Sequence, residues 1–120
     1  MRPIARAIAA ASICIIAPLC NATKTPDCTG PERWPASTAY AQLKNAGVLS
    51  PETVEFDRVT SVRVASERIQ PDLWRQVHRV RFPLNSGRVV QVLTVSDASS
   101  KECSMGEVQI YVLSLHLINK

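Results

Sequence analysis

The sequence predicts an α+β domain: one N-terminal helix packed on a four-stranded antiparallel sheet in meander order, closed by one disulfide. Three observations carry this. A helix-forming run, Ala39–Ala46, stops at Gly47. From Val54 onward the chain is rich in valine and is broken at Gln70-Pro71-Asp72, at Asn85-Ser86-Gly87 and along a polar stretch, Ser96–Glu107. Cys28 and Cys103 form an even pair once an N-terminal leader is set aside.

The leader is residues 1–22. Arg2 and Arg6 give it a positive start, residues 7–19 are uncharged and mostly apolar, and Cys20-Asn21-Ala22 places small residues at the two positions a signal peptidase reads. The apolar run is shorter than the ~20 residues a membrane span needs. This pattern predicts a secretory signal cleaved after Ala22, and hence a periplasmic or secreted protein. The rival reading is a lipoprotein signal with Cys20 modified; Leu19 stands where that signal wants a small residue. Thr23–Lys120 then form a single domain. Arg2 and Arg6 leave with the leader, so twelve basic and ten acidic residues remain, a formal charge of +2. That balance does not call for nucleic acid.

Cys14 and Cys20 also leave with the leader. In an exported chain the remaining pair, Cys28 and Cys103, is expected to be oxidised. The alternative is two free buried thiols. Closing so long a loop is worth at most roughly 4–5 kcal/mol in the chain-entropy picture. Two cysteines and two histidines at unrelated spacings match no zinc pattern, and no cofactor motif is present.

Each element has its own signal. Thr23–Pro35 is polar and proline-rich, an irregular lead-in. Ser37 or Thr38 is placed to cap the helix, and Gly47 suits a left-handed stop, after which Val48 and Leu49 are expected to fold back. Strands are expected at about 59–69, 73–83, 88–95 and 108–117 by their β-branched content and turn boundaries. Val54-Glu55-Phe56 is expected as a short extra piece. The last strand is apolar on both sides, which predicts a central or well-covered position.

Turn lengths set a register. A three-residue Asn85–Gly87 loop sets Leu84 against Arg88, Phe82 against Val90 and Val80 against Val92. A three-residue Gln70–Asp72 loop sets Ile69 against Leu73, Glu67 against Arg75 and Val62 against Val80. Together they give one apolar face of Val62, Val64, Val80, Phe82, Val90 and Val92, which a slip of one residue would destroy.

The opposite face then carries Arg63, Arg79 and Arg81, with Arg63 directly across from Arg79. Opposed like charges cost stability. Arginine also makes bidentate bonds to carboxylates. Arg63, Arg79 and Arg81 are therefore the candidate contact residues for an acidic partner, a protein or an anionic envelope polymer. The plain alternative is a solvated face that keeps the sheet from pairing. Such a module would suit an inhibitor or immunity-type protein.

Gln76, His78, Thr94 and Ser96 form a candidate polar site at the end of the apolar face. A small envelope hydrolase would use His78, with Ser96 and Asp97 as its only nearby nucleophile and acid. A structural accessory of the envelope is a third reading. His116 has no partner in the pattern. Trp34 and Trp74 are expected to pack, and the Ser96–Glu107 loop must reach Cys28. The order helix-then-four-strands resembles the cystatin-like arrangement. Gln76-Val77-His78-Arg79-Val80 is the stretch nearest the cystatin Gln-x-Val-x-Gly motif and lacks its glycine, so no cystatin residue carries over.

Overall fold

A computed structural model describes residues 24–113. The expected leader 1–22, with its expected cleavage site, Cys14 and Cys20, and the C-terminal stretch 114–120, with Leu115, His116 and Leu117, lie outside the described residues.

Helix α1 (Trp34–Asn45) is followed by a 3-10 turn (Phe56–Arg58) and strands β1 (Thr60–Gln70), β2 (Leu73–Pro83), β3 (Val89–Ala98) and β4 (Gln109–Val112). The strands form one antiparallel sheet in the order β1-β2-β3-β4. One helix on a four-stranded meander is the architecture the sequence predicts. Among the described residues no helix is long and apolar enough to cross a membrane.

The helix starts earlier than expected. Arg33 is its cap residue and makes no side-chain cap bond, and Pro35 sits in the first turn. Proline's fixed φ pre-forms that turn, and its missing N–H costs nothing there. Neither Ser37 nor Thr38 is the cap. The stop is as expected: Gly47 has φ 75°, and the N–H groups of Val48 and Leu49 both turn back to the Leu43 carbonyl, at 2.9 and 3.2 Å. Only Leu49 is buried by this; Val48 points to solvent.

The core lies between α1 and one face of the sheet. Ala36, Ala39 and Leu43 of the helix, with Leu49, Val54 and Val59, pack on Val80, Phe82 and Val92. The Tyr40 ring meets the Phe56 ring edge-on at 5.0 Å and closes one side. Val54 bridges to Leu84, so the short extra piece attaches to the end of β2.

The β2–β3 register is the expected one. Gly87 takes φ 86°, its N–H bonds the Leu84 carbonyl, and the Leu84 N–H bonds the Arg88 carbonyl at 2.8 Å. Phe82 faces Val90, Val80 faces Val92 and His78 faces Thr94. β3 runs to Ala98, three residues further than its predicted end.

The β1–β2 register differs from the prediction. Gln70 faces Leu73 across a two-residue Pro71-Asp72 turn, and a bulge between Arg68 and Gln70 restores Glu67 opposite Arg75. A second irregularity, at Val64, then shifts the rest of β1. Arg63 faces His78, Val62 faces Arg79 and Ser61 faces Val80. A bulge inserts one residue and exchanges the two faces beyond it. Val62 and Val64 are therefore 49% and 48% exposed rather than core residues. Val54 and Val59 take the place expected of them.

β4 is an edge strand, not a central one, and Tyr111, Val112 and Leu113 are exposed. The loop before it is anchored by the Cys28–Cys103 disulfide, with Cα atoms 5.8 Å apart. Trp34, expected to pack, is exposed and donates its indole N–H to the Gly106 carbonyl at 3.4 Å. Trp74 is buried, with the Arg68 guanidinium 5.7 Å from its ring centre.

Candidate functional site

The two faces of the sheet have different chemistry. The covered face has an apolar half under α1 and a polar half under the lead-in. In the polar half Gln76 and Ser96 face each other, as do His78 and Thr94, and all four side chains are buried. The disulfide holds the lead-in over them. Gln76 Nε2 donates to the Pro26 carbonyl at 3.0 Å, and Arg63 Nη1 donates to the same oxygen at 3.2 Å.

His78 is 0% exposed, and neither ring nitrogen has a hydrogen-bond partner among the described residues. Gln76 Oε1, Thr94 Oγ1 and Ser61 Oγ are likewise unpartnered. Unmade bonds of this kind cost about 1–3 kcal/mol each. Burial pushes the His78 imidazole below its ordinary pKa; the Arg63 charge adds to this, and Asp27 opposes it.

The residues named for hydrolysis are not assembled. Ser96 lies on the buried face with His78. Asp97, the next residue of β3, points to the other face and is held there by Arg75 through bonds of 3.1 and 3.3 Å. Turn length sets Glu67 against Arg75. Those two do face each other, but the ion pair is with Asp97.

Among the described residues no helix covers the second face, here called the open face. Along β2 it presents Arg75, Val77, Arg79 and Arg81, and alternation places Val62 of β1 and Gln91, Leu93 and Val95 of β3 beside them. Arg79 and Arg81 are exposed and form no ion pair among the described residues. Arg63 is not with them. The Val64 bulge puts it across from His78 on the covered face, so the expected Arg63–Arg79 opposition does not form.

Two arginines that the sequence reading passed over complete a basic corner instead. Arg58, in the 3-10 turn before β1, and Arg88, just after the Asn85–Gly87 turn, line one groove with Arg81. The register held the signal for both: Thr60 faces Arg81 and Pro83 faces Val89, which brings Arg58 and Arg88 to the same end of the sheet. The arrangement defines an α+β domain with an arginine-bearing sheet face. Comparison with protein-family models, with curated proteins and with solved structures finds no match.

Proposed function

We propose that this chain is an exported binding protein that docks an acidic protein on the open face of its sheet, in the manner of a small inhibitor or immunity protein. The observation that carries this reading is the placement of Arg79 and Arg81. Both stand exposed on an uncovered sheet face without a carboxylate partner among the described residues. Val62, Val77 and Leu93 lie beside them. Apolar side chains interleaved with arginine are the composition of protein interfaces, which favours a protein over a polymer of uniform charge. The leader supports export, and a disulfide is at home in an oxidising compartment. The hydrolase reading has less support, since His78 is sealed from substrate.

The test is comparative capture. Immobilised Thr23–Lys120 and a folded Arg79→Glu/Arg81→Glu variant are incubated with envelope extract. The parent should retain an acidic protein that salt at about 0.3 M releases, because exposed charges are screened within a Debye length. The variant should retain none. Identical capture by both overturns the reading; capture of an anionic polymer in place of a protein changes the partner class.

A further inference from the structure

The start of β1, the end of β2 and the Asn85–Gly87 turn enclose a groove of about 300 Å³. Arg58, Thr60, Arg81 and Arg88 line it, with Pro83 and Leu84 as its apolar lining residues. Glu55 Oε2 occupies Arg58 at 2.8 Å. Arg81 and Arg88 have no carboxylate partner among the described residues. The groove therefore gathers three guanidinium groups against one carboxylate, an excess of two positive charges. Like charges brought to one concave site repel unless an anion occupies it.

We propose that this groove binds a phosphate monoester. A dianion matches the excess of two charges, as a single carboxylate does not. Guanidinium groups bind tetrahedral oxyanions through paired N–H donors, and the Thr60 hydroxyl adds a further donor. A phosphate fills only part of the groove. The remainder, walled by Pro83 and Leu84, admits a ring-sized carrier such as a sugar. The site goes beyond the docking surface: it uses Arg58, Thr60 and Arg88, and it shares only Arg81 with that surface.

The experiment is calorimetric titration of Thr23–Lys120 at low ionic strength. The probes are inorganic phosphate, a hexose 6-phosphate, acetate, and phosphatidylcholine vesicles carrying phosphatidic acid. Expected is saturable one-site binding of phosphate and hexose phosphate, with acetate at least about tenfold weaker, the loss of one charge-assisted bond. Arg88→Gln should weaken hexose phosphate about tenfold or more, while Arg79→Gln should leave it unchanged. Hexose phosphate bound more tightly than the vesicles assigns the ligand to a soluble sugar phosphate; the reverse assigns it to a lipid headgroup. Acetate binding as tightly as phosphate, or an Arg88→Gln variant that binds like the parent, overturns the proposal. Because Arg88 lies outside the docking surface and Arg79 outside the groove, failure of one reading leaves the other standing.

Discussion

Arg63 lies across the β1–β2 ladder from His78, and its guanidinium Nη1 donates to the Pro26 carbonyl that also receives Gln76. A cation therefore faces a buried imidazole. Desolvation is the larger cause and the Arg63 charge the second; together they outweigh Asp27 and hold the His78 pKa below its ordinary value.

The sign of the pH dependence follows. The unfolded chain binds a proton at His78 near pH 6.5, where the folded protein does not. Stability is thus full above about pH 6.5 and falls as pH drops through the window between the unfolded and folded pKa values, by at most about 1.4 kcal/mol per pH unit. Asp27 and Asp72, held low by hydrogen bonds from Thr29 and Ser100, lose their contributions only lower, as pH falls below their ordinary 3.8. Urea unfolding between about pH 5 and 7.5 covers the His78 window and stays above those of Asp27 and Asp72. His78→Leu should flatten that slope and stabilise the domain by about 1–2 kcal/mol, because it removes an unpartnered buried donor. An unchanged slope in this variant would assign it to another group.

The disulfide does more than close a loop. It pins the lead-in whose Pro26 carbonyl serves Gln76 and Arg63. Cys28→Ser/Cys103→Ser should cost about 2–5 kcal/mol. Hydrogen exchange should show the loss concentrated around Gln76, His78 and Thr94, with the Val80–Phe82 half protected as before. Uniform loss across the sheet would mean that the lead-in gives no local cover.

The two faces of the sheet also predict opposite mutational costs. Phe82 is 1% exposed and lies under α1, so Phe82→Ala should cost about 3–5 kcal/mol. Val62→Ala and Arg81→Ala should each cost no more than about 0.5 kcal/mol, as exposed positions do. A large loss at Val62 would place it in the core after all.

These contrasts show where the sequence was informative. Asn85-Ser86-Gly87 fixes its hairpin because only Gly87 accepts the left-handed backbone that loop needs, and the pairing of Phe82 with Val90 follows. Two cysteines after the expected leader leave one pairing, and Cys28–Cys103 forms. β1 was not legible in the same way. Its two irregularities, at Val64 and near Ile69, involve no glycine or proline at the bulged position. The first of them turned Arg63 and Val62 to the wrong faces. The basic corner was missed for two reasons: Arg58 sits in a 3-10 turn, where strand alternation is silent, and the expected register set Arg88 opposite Leu84 on the apolar face. The apolar residues of the last strand suggested burial, but chain order in a meander places that strand at the edge.

The leader makes a chemical prediction. Intact-mass measurement of exported protein should give Thr23 as the first residue. A lipid-modified Cys20 would instead tie the domain to a membrane surface and restrict the partners that reach its open face.

The proposed role of Arg79 and Arg81 is to make the open face a receptor for acidic protein surfaces. Its most direct measurement is NMR titration of Thr23–Lys120 with poly-L-glutamate, a defined acidic probe. Shift changes should concentrate at Arg79, Arg81, Val62 and Leu93, and vanish in the folded Arg79→Glu/Arg81→Glu variant. They should also fade as salt rises past about 0.15 M. Equal changes at the remote arginines Arg33 and Arg68, surviving in the variant, would show that the open face is only a solvated surface and contradict the account.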